Sequence, residues 1–205
     1  MSKLVLHCSI SLDGFATGPH GDLTRLHEWM SASRPPADAA VVEDLNTAFH
    51  ISGAIVFGRR TWDSGQQPWG DDDVFSAPVF VLTHDAREPV ARNGTVFTFV
   101  NGIDEAVRKA SDAAGDRNVA LMGSPDVAQQ ALSAGLVDEL VLHLVPVLLG
   151  AGTPLFPTFD DTPVELEILG ISHSSVVTGL RYRVLPKQTH STHRLTNDAG
   201  DHALR

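Results

Sequence analysis

The chain has 205 residues, which suits one large domain better than two, and its 42% hydrophobic and 20% charged content excludes a disordered, collagen-like or fibrous protein. A single cysteine excludes a disulfide framework and every cysteine-rich zinc site. A formal net charge of −10, with no stripe of lysine and arginine, argues against nucleic acid and against an anionic membrane surface as partners. The first residues lack the apolar core and small-residue cleavage site of a signal peptide. The most apolar stretch, residues 136–149, is broken by Asp138, Glu139 and His143 and is too short to span a bilayer. A cytoplasmic protein is expected.

In chain order, residues 3–10 are an apolar run ended by the turn-forming Asp13-Gly14, which predicts a first strand. Residues 23–30 place Leu23, Leu26 and Met30 at helical spacing, and residues 37–50 carry a second helical stripe after Pro35-Pro36. A buried strand is predicted over 54–57, running straight into Gly58-Arg59-Arg60-Thr61-Trp62. Residues 65–77 read as a loop, and 79–82 and 95–100 as strands. A helix over 103–114, a strand over 118–122 and a helix over 127–134 follow. Residues 139–147 form a strand, then a tight loop, and residues 165–171 and 179–185 a closing antiparallel pair. Beyond Pro186 the composition turns polar, so the domain ends there and residues 187–205 are expected to be a flexible tail. Strands separated by helical crossovers predict an α/β fold: a single mixed, mostly parallel sheet of about eight strands with helices on both faces and a C-terminal antiparallel hairpin.

Three places can carry chemistry. Gly58 ends a strand, so the backbone can turn sharply there; a helix starting at once would present N–H groups to an anion, with Arg59, Arg60 and Thr61 adding donors. The alternative is an ordinary helix start with two solvated arginines. Leu121-Met122-Gly123-Ser124-Pro125-Asp126-Val127 repeats the pattern, with Ser124 as N-cap and Pro125 at the first helical position; this is either a pyrophosphate seat or simply a well-capped helix. The loop from Ser9 through Asp13-Gly14 to Thr17 follows the first strand, at the end of a parallel sheet where ligands bind. Other chemistries find no support. No His-Glu-x-x-His or other ligand cluster exists among the ten histidines, His190 and His193 lie in the tail, and Asp71-Asp72-Asp73 lacks the spacing of a calcium loop. No Gly-x-Ser-x-Gly elbow is present, and Cys8 reads as a small buried hydrophobe.

Taken together and in register, these segments resemble the dihydrofolate reductase fold. More narrowly they are similar to the stand-alone relatives of the C-terminal reductase domain of the bifunctional riboflavin biosynthesis protein. The carriers are the stretches 11–16, 58–62, 81–84 and 120–124, and above all 135–140 running on to 146–156. The resemblance spans about residues 3–186 and implies NADPH as cofactor. It would place Arg59 at the 2′-phosphate, with Gly58, Arg60 and Thr61 nearer the pyrophosphate. Thr83 and His84 would line the adenosine. Gly123, Ser124, Asp126 and Val127 would meet the pyrophosphate and nicotinamide half, and Ala16 and Thr17 would flank the nicotinamide. A pair of arginines also explains how an acidic protein holds an anion, since distant carboxylates are screened beyond about 8–10 Å.

Two departures stand out. The Gly-Gly usual in the family is Gly123-Ser124 here, and Glu28 sits off the face where folate reductases place their pterin-binding acid, which counts against folate. The zinc deaminase half of the bifunctional protein is absent from these 205 residues.

The expected activity is hydride transfer from NADPH to a small heterocyclic substrate, pterin- or pyrimidine-like, with no metal. Asp13 and Glu28 are the titratable candidates for proton delivery, and an ordered water is the alternative. A non-catalytic module binding a nucleotide or metabolite on the same fold is the other reading. A homodimer is expected from the resemblance. The apolar strand after residue 139 supports it, unless that strand is simply central in the sheet.

Overall fold

The computed structural model describes residues 2–30, 50–65, 75–85, 87–92, 94–156 and 163–186. The helix predicted over 37–50 lies almost wholly outside these residues, as do most of the 65–77 loop with Asp71-Asp72-Asp73, the tail, His190 and His193.

Nine strands form one sheet. They are β1 (Leu4–Ser11), β3 (Ala54–Gly58), β4 (Val79–Leu82), β5 (Val90–Arg92), β6 (Thr95–Val100), β7 (Val119–Met122), β8 (Glu139–Val145), β10 (Leu166–His173) and β11 (Thr178–Val184), in the order β10-β11-β8-β1-β7-β3-β4-β6-β5. The run from β8 to β6 is parallel. The β10–β11 hairpin adds to β8 antiparallel, and β5 closes the other edge antiparallel to β6. A separate ribbon pairs β2 (Phe15–Thr17) with β9 (Thr153–Pro154). β2, β5 and β9, each three residues or fewer, are additional to the expected strands, because so short a run has no readable period.

Alternation sorts the core into two faces. Leu4, Leu6, Cys8, Val56, Leu121 and Leu142 point to one side, under α3 (Ile103–Ala114) and α4 (Pro125–Ser133). Ile55, Phe57, Val79, Val81, Phe97 and Phe99 point to the other, where Trp62 of α2 (Arg59–Gly65) covers them. The helix predicted over 23–30 is α1 (Thr24–His27) followed by a 3-10 turn (Glu28–Met30), and it buries Leu26 and Trp29 against Val145 and Val177. Cys8 is buried as expected, and burial pushes its thiol up to about 12, so it stays protonated and inert.

Strand β8 lies between β11 and β1, inside the sheet. Its apolar run is therefore accounted for by its central position and is no longer a signal for a dimer. Its first turn ties the sheet together. The Asp138 carboxylate accepts the Leu4 N–H at 2.8 Å. Buried Glu139 takes Lys3 Nζ at 2.6 Å and Arg181 Nη2 at 2.7 Å.

Candidate active site

Every parallel strand delivers its carboxyl end to the same edge of the sheet. Because β7 returns between β1 and β3, the turns after β3 and β7 become neighbours, the place where open α/β sheets bind ligands. Both turns are strand-glycine-helix, as predicted, and they interlock. Thr61 Oγ1 lies 3.0 Å from Ser124 Oγ. A Cβ on Gly58 would stand 2.5 Å from Ser124 Oγ and 2.8 Å from Val127 Cγ2, so only glycine lets α4 start so close to β3. Gly123 adopts φ 70°, and a Cβ there would meet Thr61 Oγ1 at 2.9 Å. Ser124 stands at the N-cap position with Pro125 behind it, but its hydroxyl makes no capping bond. The hydroxyl turns to Thr61 instead, so the expectation of a side-chain cap is corrected. The serine that departs from the family's Gly-Gly is the link between the two turns.

The arginines do reach this edge, with internal partners. Arg59 Nε is held by both carboxylate oxygens of Asp63, at 2.8 and 3.0 Å. Arg60 pairs with Asp126 across the two turns at 3.0 Å. Both pairs are exposed enough for solvent to screen them, so an anionic ligand can displace the carboxylates at small cost. Thr83 follows β4, buried, its hydroxyl accepting the Asp85 N–H at 3.1 Å, and His84 beside it is exposed.

Ala16 and Thr17 lie on the ribbon, both buried. Gln129 Nε2 donates to the Pro154 carbonyl at 2.7 Å, so α4 and the ribbon are joined. Thr17 Oγ1 is buried without a hydrogen-bond partner. Buried hydroxyls are seldom left so, which marks a position for a polar ligand group. That orphan, the Thr61 and Ser124 hydroxyls and two displaceable arginines form a donor set that fits an anionic dinucleotide. Gln129, Arg87 and the ribbon were not singled out from the sequence, since nothing local in their surroundings marks them.

The two carboxylates proposed for proton delivery have different partners. Asp13 Oδ1 accepts the Leu149 N–H at 3.1 Å and Oδ2 the Gly150 N–H at 2.7 Å. The Ser11 hydroxyl first, then these backbone donors, hold its carboxyl below the ordinary range. At neutral pH Asp13 is ionised and has no proton to give; it clasps the loop after β8 to the loop after β1. Glu28 sits on the 3-10 turn, bound by Arg25 Nη1 at 2.9 Å. The buried partner on that turn is Trp29, whose Nε1 donates to Ser9 Oγ at 3.2 Å and whose ring stacks on His143. Among the described residues no group of His, Cys, Asp or Glu could hold a metal ion, and no helix is long and apolar enough to cross a membrane.

Comparison with known proteins identifies the family and the fold. The family model for the RibD C-terminal domain matches residues 2–178. The uncharacterized protein YyaP of Bacillus subtilis is 26% identical over 163 residues, 75% of this chain and 80% of its own. A crystal structure of a protein ascribed to riboflavin biosynthesis in Shewanella sp. PV-4 superposes with a TM-score of 0.71 at 22% identity, covering 90% of this chain and 99% of that one. The diaminohydroxyphosphoribosylaminopyrimidine deaminase/5-amino-6-(5-phosphoribosylamino)uracil reductase of Thermotoga maritima superposes with a TM-score of 0.66 at 11% identity. There the match covers 90% of this chain but 57% of the Thermotoga chain.

Proposed function

The chain belongs to the RibD C-terminal domain family, and from that premise we propose that it is an NADPH-dependent reductase that transfers hydride to a small pyrimidine- or pterin-like heterocycle in the cytoplasm. The observation that carries the reading is the interlocked pair of turns, with hydroxyls and arginines at one sheet edge, together with the unpartnered Thr17 hydroxyl on the ribbon that Gln129 ties to α4.

NADPH, when bound, supplies the hydride. In this reading Thr61, Ser124, Arg59 and Arg60 hold its phosphates, Thr83 and His84 line the adenosine, and Thr17 gives its free hydroxyl to the nicotinamide end. Asp13 is a positioning residue. It keeps the loop from Leu149 onward closed over the end of β1, where the acceptor sits, and the proton comes from water because Asp13 and Glu28 are both engaged.

Thermal unfolding tests the cofactor. NADPH at 100 times its dissociation constant adds about 2.7 kcal/mol, a midpoint rise of roughly 5–10 °C for a domain of this size. The rise should be large with NADPH, small with NADH, and largely lost in Arg59→Ala. Equal midpoints with and without NADPH would end the reading. The binding-only alternative draws on one observation, that Arg59 and Arg60 already have carboxylate partners. NADPH oxidation with pterin, pyrimidine and quinoid acceptors separates the two.

A further inference from the structure

The preceding reading names NADPH, and on it rests the question of which residue tells NADPH from NADH. The two differ only by the phosphate on the adenosine ribose. Arg59 reaches that phosphate only by exchanging the Asp63 carboxylate that holds it, so it does not enter the site as an uncompensated charge.

A third arginine at this edge is held differently. Arg87 comes five residues after the end of β4 and is exposed. Its guanidinium carbon lies 4.0 Å from the centroid of the Phe99 ring and 5.8 Å from that of Trp62. Phe99 is the penultimate residue of β6, the neighbour of β4, and both rings are buried. Trp62 lies three residues beyond Arg59 on α2, about 4.5 Å along the helix axis at 1.5 Å per residue. The two rings, set edge-to-face at 89°, thus hold a cation near the carboxyl end of β6, beside the helix that begins at Arg59 and downstream of Thr83 and His84.

No carboxylate among the described residues pairs with Arg87, whereas Arg25, Arg59, Arg60, Arg108, Arg181 and Arg183 all have one. A guanidinium held over an aromatic ring by cation–π attraction leaves N–H donors free for the fork that matches phosphate oxygens.

We propose that Arg87 is a specificity-determining residue that reads the adenosine 2′-phosphate. The aromatic shelf positions its guanidinium, and the phosphate supplies a counter-charge that no carboxylate among the described residues gives it.

Calorimetric titration with adenosine 2′,5′-bisphosphate and with 5′-AMP tests this without any turnover. The wild-type protein should prefer the bisphosphate, and less so as salt rises. In Arg87→Ala and Arg87→Gln the preference should fall about tenfold or more, the weight of a lost charge-assisted hydrogen bond, with 5′-AMP binding little changed. Arg87→Lys, with the charge but not the fork, should keep part of it. Arg87→Gln guards against unpacking of the Phe99 shelf, and an unchanged melting midpoint confirms the fold. Undiminished preference in both neutral variants overturns the role of Arg87 and leaves the NADPH reading standing. Failure of the wild-type protein to bind bisphosphate or NADPH overturns that reading, and the proposal with it.

Discussion

Gly58 is where the sequence and the site meet most directly. Its hydrogen occupies the space in which Ser124 and Val127 press against β3, so a single methyl group there must push the first turn of α4 outward. Overpacking of this kind costs about 1–3 kcal/mol. Gly58→Ala should therefore lower the melting midpoint by several degrees and weaken NADPH binding about tenfold or more, as the Thr61–Ser124 link opens. A variant with wild-type stability and affinity would show that the two turns need not touch. At this scale the sequence was partly legible. Gly58, Gly123 and the arginines could be picked out because glycine at a strand end and arginine at a helix start have local meaning. The partners of those arginines could not, since Asp126 is 66 positions from Arg60 and only the adjacency of β3 and β7 makes them neighbours. The same holds for Asp13, whose N–H donors lie on a loop more than 130 residues away.

Strand β8 illustrates the scale of the element. One of its faces is wholly apolar, Leu140, Leu142 and Leu144, and the other interleaves two valines with Glu139 and His143, both buried. Burial first, then the charge of His27, lowers the His143 imidazole to about 4. His7 on the adjacent β1 is lowered to about 3 by burial, then by His143 and Arg181. Both rings are neutral in the fold but take up protons near pH 6.5 once unfolded. The unfolded chain then binds more protons, so stability falls as the pH drops from about 6.5 toward 4, by up to about 1.4 kcal/mol per pH unit for each ring. Glu139 has the sign of a stabilised carboxylate. Burial opposes its charge, but Lys3 and Arg181 outweigh that and lower it, so its contribution is lost at still lower pH. Urea unfolding at pH 7 and pH 5 should show a clear loss for the wild-type protein. His143→Phe keeps a ring to stack on Trp29 and removes one titration, so it should lose distinctly less. An identical drop in both proteins would mean that His143 is not among the groups responsible.

For the whole molecule, the sheet has two ends of different kinds. β5 is three residues long, too short to invite pairing, whereas β10 is an eight-residue edge with Ile168 64% and Ile171 63% exposed. Long apolar edges are templates for another strand. If the chain forms the expected homodimer, β10 is the surface that the exposed isoleucines favour, in place of the buried β8. Sedimentation at low micromolar concentration should give a dimer for the wild-type protein and a monomer for Ile168→Lys, Ile171→Lys. A wild-type monomer would remove the dimer, and a dimer insensitive to both lysines would move it elsewhere.

By itself the sequence determined the kind and order of the longer elements, the two strand-glycine-helix turns and, through its motifs, the family. Those properties rest on periodicity, on glycine and proline punctuation and on short-range spacing, all of which are written within a dozen residues. The tertiary structure alone decided that β7 inserts between β1 and β3, that Ser124 spends its hydroxyl on Thr61, that Asp13 is a clasp, and that Arg87 lies on Phe99. The first three join residues far apart in the chain, and Arg87 meets Phe99 only because β4 and β6 are neighbours; such pairs are chosen by burial and register across the sheet, not by any local preference.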